Sequence, residues 1–353
     1  MISLYRLFLV ILLLVVSNNG FSVAQKNTFK IAFGSCGSEE HPLPIFDVVV
    51  KHKPDVFVFL GDNIYGDTKD MNELRTKYGK LAAKPTFQHL KRNTKILATW
   101  DDHDFGWNDI GRHYPFKKES KDIFLTFFEE PKDSPRRQHE GIYTSYYYKQ
   151  KGKILQVILL DNRTFRDDVL PYNGEFKDDK RYFYSLDYAP YTKPDSTFLG
   201  EAQWKWLEAE LQKPADVRIV GSGSQFGIEY NGYEAWANFP HEQKRFLELI
   251  RKTRANGVLF ITGDVHYAEI SKLQEPNLYP IYDVTSSGLS STWHFATPNR
   301  NRIEGPVMEN HFGLITIDWA AKDPIIRMEV IDVTNNQRFE HTIRLSEISF
   351  KSK

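Results

Sequence analysis

A single cysteine, Cys36, occurs among 353 residues, so no disulfide can form within the chain and the fold must stand on packing alone. Excess charge is lacking as well. Lys and Arg number 46, and Asp and Glu also number 46, a balance that gives no net attraction for nucleic acid or another polyanion. Long apolar runs are missing too: Leu7 to Val16 is ten residues, well short of the ~20 that a membrane-spanning helix needs. That run follows Arg6 and leads through a polar stretch to Ser22-Val23-Ala24, the layout of a secretory signal peptide over residues 1–24, cut after Ala24. The mature protein is therefore expected in a periplasm or outside the cell, with no stable membrane anchor. Two catalytic signatures are also absent. Gly221-Ser222-Gly223-Ser224-Gln225 and Thr285-Ser286-Ser287-Gly288 do not match the Gly-x-Ser-x-Gly elbow, and no Gly-x-x-x-x-Gly-Lys-Ser phosphate loop occurs.

What is present is a globular composition, 41% hydrophobic and 26% charged, read as one domain over residues 25–353. Apolar or β-rich runs fall at Phe29 to Phe33, Val56 to Leu60, Lys95 to Trp100, Ile142 to Tyr148, Ile154 to Leu160, Val217 to Val220, Val258 to Thr262, Ile281 to Thr285, Leu314 to Trp319 and Ile325 to Val333. Helical spacing appears at Leu43 to Lys51, Ser120 to Glu130, Glu201 to Lys213 and Pro240 to Asn256. Strands alternating with helices predict an α/β fold, and the closely spaced late strands add antiparallel hairpins. The polar, tyrosine-rich stretch 171–198 has no periodicity and reads as a loop insertion.

Five of the strand-like runs end in ligand-type residues. Phe33 is followed by Gly34-Ser35-Cys36, Leu60 by Gly61-Asp62-Asn63-Ile64-Tyr65, and Trp100 by Asp101-Asp102-His103-Asp104. Leu160 leads to Asp161-Asn162-Arg163, and Thr262 to Gly263-Asp264-Val265-His266. One such end is a capped loop; five together point to a site beyond the carboxyl ends of the strands, where α/β sheets bind ligands. Cys36 stands at one of these ends, which makes a metal-bound thiolate a better reading than an inert buried thiol, with a cysteine nucleophile as the rival. A cysteine nucleophile leaves the carboxylates idle, whereas metal binding uses them all. The remaining histidines, His311 among them, have no strand-end partner and read as exposed or capping residues.

In order along the chain, Gly61-Asp62-x-x-Tyr65, Trp100-Asp101-Asp102-His103-Asp104 and Gly263-Asp264-Val265-His266 resemble the successive metal-ligand blocks of the calcineurin-like metallophosphoesterases. Gly34-Ser35-Cys36 as first block, Tyr65 closing the second, and Leu160-Asp161-Asn162-Arg163-Thr164-Phe165-Arg166 between them resemble the alkaline phosphatase D branch. The resemblance spans roughly Phe29 to Trp319 and implies a four-layer α/β/β/α sandwich, two mixed sheets flanked by helices. It also implies a phosphatase or phosphodiesterase with a small phosphate mono- or diester as substrate, and an iron and calcium site.

The donor types agree with that implication. Cys36, Asp62, Tyr65 and His266 would combine thiolate, carboxylate, phenolate and imidazole, a set suited to ferric iron. The second site would share Asp62 as a bridge and add Asp264 and either Asp101 or Asp102, an oxygen-only set suited to calcium before magnesium or manganese. Asp102 is preferred because it directly precedes the histidine, as the ligand asparagine does in related phosphoesterases. A hydroxide held between two cations would attack phosphorus, with His103 serving the leaving group and Arg163 and Arg166 clamping the phosphate. The alternative is a non-catalytic, calcium-dependent binding protein for phosphate compounds on the same scaffold.

Overall fold

The computed structural model describes residues 26–174 and 186–351. The signal-peptide reading at residues 1–24 and the middle of the 171–198 insertion lie outside the described residues. In chain order the strands are β1 (Thr28–Gly34), β2 (Val56–Leu60), β3 (Lys95–Thr99), β4 (Thr144–Gln150), β5 (Lys153–Leu159), β6 (Leu170–Pro171), β7 (Tyr188–Ala189), β8 (Val217–Ser222), β9 (Val258–Thr262), β10 (Ala268–Leu273), β11 (Ile281–Ser286), β12 (Arg302–Val307), β13 (His311–Asp318), β14 (Ile325–Asp332) and β15 (Gln337–Arg344). The helices are α1 (Ile45–Lys51), α2 (Met71–Ala83), α3 (Pro85–Asn93), α4 (Asp102–Phe105), α5 (Lys117–Phe127), α6 (Pro135–Gln138), α7 (Gly200–Gln212) and α8 (Pro240–Thr253).

Two large mixed sheets form the centre. One is ordered β15-β14-β13-β1-β2-β3 and the other β12-β10-β11-β9-β8-β5-β4. Side-chain alternation along each strand explains the layering. Ile31, Phe33, Val56, Val58 and Leu60 join β5, β8 and β9 residues such as Val157, Ile219 and Leu259 in one buried cluster. Their neighbours Ala32, Phe57 and Phe59 face the other way, into a second cluster with Phe46 of α1, Leu81 of α2, Leu90 of α3 and Phe124 of α5. Helices α7 and α8 cover the second sheet through Trp204, Leu207, Phe246 and Ile250. The result is the expected helix, sheet, sheet, helix order.

Two of the ten strand-like runs match their strands residue for residue, seven need only their ends adjusted by a residue or two, and β13 begins three residues before the predicted Leu314, but β10 and β12 were not anticipated, and neither were α2 and α3. Helix α2 carries only Leu74, Tyr78 and Leu81 buried in thirteen residues, a stripe too thin to register as amphipathic. β10 starts two residues after His266, so its apolar run is hidden behind the ligand block. In the insertion, β6 and β7 pair antiparallel, Leu170 opposite Ala189.

Register decides where the site lies. β1, β2 and β3 run parallel, with Leu60 opposite Thr99, and β5, β8, β9 and β11 run parallel, with Ser222 opposite Thr262. Their carboxyl ends therefore run out level at one edge. A lone bridge between Ser35 and Ser287 joins the ends of β1 and β11 across the two sheets.

Candidate metal centre

All five ligand-bearing strand ends meet at that edge. Cys36 Sγ lies 3.3 Å from Asp62 Oδ2, and donor atoms of Cys36, Asp62 and His266 fall within 4.8 Å of one another. The same spacing holds for Asp62, Asp102 and His103, and for Asp101, Asp102 and Asp264. Asp62 thus belongs to two neighbouring groups, and Asp102 links the second to the third. Both Asp101 and Asp102 are present, but only Asp102 shares a group with Asp62.

The backbone is bent to make this convergence. Cys36, Asp62, Asp264 and His266 have φ of 56°, 47°, 78° and 57°, a left-handed conformation that side chains with a Cβ adopt at a cost of roughly 1–3 kcal/mol. Asp67 and Asp109, beside the same site, have φ of 45° and 57°. Strain is concentrated where strands turn sharply to present donors. Gly61 is required for a second reason: a Cβ there would lie 2.4 Å from the Asp101 side chain, so only glycine lets the β2 and β3 ends come together.

The electrostatics are those of a pocket short of cations. Asp62 Oδ1, Tyr65 OH, Asp101 Oδ2 and Asp102 Oδ1 are buried without a hydrogen-bond partner among the described residues, a heavy cost unless an ion satisfies them. Burial, together with the neighbouring Cys36 and Asp102, pushes the Asp62 carboxyl well above its ordinary range. Burial and then Asp101, Glu234 and Asp102 do the same to Asp264. Burial raises the Cys36 thiol, and burial followed by Cys36 and Asp62 raises the Tyr65 phenol. A bound cation would reverse each of these shifts by favouring the charged form. His266 moves in the opposite direction: burial lowers it, which keeps the imidazole neutral as a ligand must be. The residues present therefore fit metal ions.

His103 sits beside this group with Nδ1 2.7 Å from Asp67 Oδ1. Burial works against its charge, but Asp62, Asp67 and Asp102 outweigh it and lift the pKa to about 10. Arg163 and Arg166 are both fully buried. Arg163 donates from Nε to Asp101 and from Nη1 to Glu234 at 2.7 Å, while Nη2 lies 3.4 Å from Asp102 Oδ1 with no hydrogen-bond partner among the described residues. Arg166 donates from Nη1 to Glu234 and from Nη2 to the Asp109 carbonyl. It supports Glu234, which holds Arg163.

Several contributors escaped the sequence. Glu39 accepts from Tyr65 N at 2.9 Å, and Lys77 donates to the Tyr65 and Gly66 carbonyls at 2.7 and 2.9 Å, so the Tyr65 turn is held from both sides. Ser287 Oγ lies 3.1 Å from Cys36 Sγ and accepts from His266 N at 3.0 Å. Contrary to its reading as exposed or capping, His311 is fully buried. Its Nδ1 lies 2.7 Å from the Glu309 carbonyl and its Nε2 accepts from Ser287 N at 3.2 Å; burial lowers its pKa to about 4. The run after Ser286 also bears on the ligands: the Ser291 carbonyl is 3.0 Å from His266 Nδ1, and Trp293 stacks on the His266 ring at 5.1 Å. His294 is exposed. None of these partners, nor Asp67 beside His103, has a fixed sequence spacing from the residue it serves, so none offered a signal.

Similarity to known proteins bears on the family and the fold. Alkaline phosphatase D of Bacillus subtilis (strain 168) is 23% identical over 299 residues, covering 72% of this chain and 48% of the relative; the chain spans about half the length of that curated relative. The solved structure described as "Structure of PhoD" matches with a TM-score of 0.73 at 17% identity, over 92% of this chain and 71% of the other. A second, described as "GAP50 the anchor in the inner membrane complex of Plasmodium", matches with a TM-score of 0.57 at 14% identity, over 93% and 90%. These two similarities establish the shared fold. The family described as PhoD-like phosphatase matches residues 67–302, more than half of the sequence, and the chain belongs to that family.

Proposed function

We propose that this chain is an exported, metal-dependent phosphoric ester hydrolase acting on small mono- or diesters. The observation that carries the reading is the position of Asp62, whose carboxylate lies in reach of Cys36 and His266 on one side and of Asp102 and His103 on the other. Cys36, Asp62, Tyr65 and His266 would hold ferric iron, and Asp62, Asp102 and Asp264 would hold calcium, with magnesium or manganese as weaker candidates. Bound there, the cations supply positive charge for the phosphoryl oxygens and an acidified water at neutral pH.

The protein's own groups do the rest. Arg163 is pinned by Asp101 and Glu234, so its remaining nitrogen is a preorganised donor for a phosphoryl oxygen. Arg166 is assigned to keeping that arrangement rigid rather than to direct contact. His103, whose charged form Asp62, Asp67 and Asp102 favour and whose Nδ1 is fixed by Asp67, can in its protonated form give its Nε2 proton to the departing ester oxygen, a role worth about 10² to 10⁴ in rate. A cysteine nucleophile is disfavoured, because Cys36 is fully buried and its thiol is shifted up, away from the reactive thiolate. Export rests on the leader-like sequence of residues 1–24; among the described residues no helix is long and apolar enough to cross a membrane.

The test is turnover of an aryl phosphate and a bis-aryl phosphate by the purified, metal-loaded chain, with and without a calcium chelator. Hydrolysis that chelation abolishes supports the reading. Binding of the esters without turnover would favour the non-catalytic alternative.

A further inference from the structure

A cavity of about 430 Å³ opens between the start of α5 and the segment Arg137 to Gly141, with Thr164 in its wall. None of the residues assigned to the metal centre lines it. Its charge is one-sided. Lys117 is paired with Glu140 at 2.9 Å, and Asp122 is the other carboxylate of the lining, which leaves Lys118, Lys121 and Arg137. Among the described residues Arg137 donates only to the backbone carbonyls of Leu125, Glu130 and Pro131. Lys121, only 9% exposed, donates only to the His139 carbonyl.

A buried ammonium with no carboxylate is costly. The nearby buried carboxylate, Asp161, offsets part of that cost through space but forms no ion pair with Lys121 among the described residues; its oxygens accept from Trp100 Nε1, Ile142 N, Arg163 N and the N–H and hydroxyl of Thr164. Burial lowers the Lys121 pKa although Asp161 and Asp122 favour its charge, and burial, with Lys121 and Arg136 adding to it, lowers that of His139.

We propose that this cavity is a second binding site, distinct from the metal centre, for a phosphate-type oxyanion held by Lys118, Lys121 and Arg137. The ammonium of Lys121 has donor capacity left after its single hydrogen bond, and the excess of two positive charges matches a doubly charged tetrahedral anion. Thr164 ties the site to the centre: it lines the cavity and donates to Asp161, which also accepts from the Arg163 N–H. Occupation would therefore bear on the turn that carries Arg163, and in a phosphate-releasing enzyme the product itself would reach it; this last consequence rests on the proposed function.

The experiment is calorimetric titration of the metal-loaded, full-length protein with inorganic phosphate. Two classes of site are expected in the wild type. Lys121→Met should abolish one, and Lys118→Glu, at the exposed rim, should weaken the same one by about tenfold or more, with turnover in phosphate-free buffer unchanged in Lys118→Glu. A single class of site in the wild type overturns the proposal. So does an unaltered second site in both variants, or in Lys118→Glu alone if Lys121→Met does not fold. A chain that hydrolyses no ester yet keeps a Lys121-dependent phosphate site would refute the hydrolase reading and leave this one standing.

Discussion

Among the described residues neither Cys36 nor Asp62 forms an ion pair with a lysine or arginine, whereas Asp101 and Asp102 on the other side of the centre both face Arg163, itself braced by Glu234. Asp102 reflects this: burial would raise its pKa, but Arg163 and His103 prevail and lower it to about 2. Asp62 has no arginine against it among the described residues; His103 works to lower its pKa, but burial, Cys36 and Asp102 outweigh that and push it up. On the proposed assignment, the half with Cys36 and Tyr65 would depend on a bound cation for its charged forms, while the half with Asp101 and Asp102 is balanced in part by Arg163. Metal removal should disturb the first half more, and guanidinium chemistry should matter mainly in the second.

That contrast can be broken in graded steps. The largest effect is expected from Asp62→Asn, which serves both halves: metal analysis should show both ions lost and activity should fall by about 10³-fold or more, the scale of a principal charge-stabilising group. Asp102→Asn should lose only the second ion; if it strips both, the division into two halves is wrong. Glu234→Gln should come next, because it leaves Arg163 and Arg166 short of their shared buried partner. A stability loss of about 3–5 kcal/mol in denaturant melts is expected, with the iron-type half still loaded.

Tyr65→Phe isolates the first half. A ferric phenolate absorbs in the visible, so the purified protein should be coloured and the variant colourless, with activity down by about 10- to 100-fold on the scale of tuning a metal site. A colourless, iron-free wild type with full activity would remove iron and keep the hydrolase. The smallest change is expected from Asp67→Asn. The Asp67 carboxylate helps raise the pKa of His103, and the protonated form is the proton donor, so removing that charge should move the alkaline limb of the rate profile to lower pH. An unmoved limb would separate His103 from the leaving-group step.

Much of this arrangement was legible in order along the chain. The strand ends at Cys36, Asp62, Asp102, Arg163 and Asp264 could be found because a buried strand is an apolar run and its abrupt end in polar residues is a local signal. Asp67 next to His103, Glu234 beneath both arginines and Ser287 against Cys36 were not legible. Glu234 is 71 residues from Arg163 and Ser287 is 251 from Cys36, and a partner at such a distance leaves no periodicity to read. His311 was misjudged for the same reason: its burial comes from β13 packing against the ends of β1 and β11, not from its own neighbours in sequence.

By itself, then, the sequence determined which residue types stand at the strand ends and in what order, because hydrophobic alternation and polar interruption are properties of short segments. The tertiary structure alone decided that Leu60 and Thr99 end level and that β1 and β11 bridge at Ser35 and Ser287. It also decided that Arg163 and Arg166 share Glu234 as a buried partner. Those outcomes depend on register between distant strands and on how buried charges find partners in a low-dielectric interior, and neither is written in any stretch of the chain short enough to read directly.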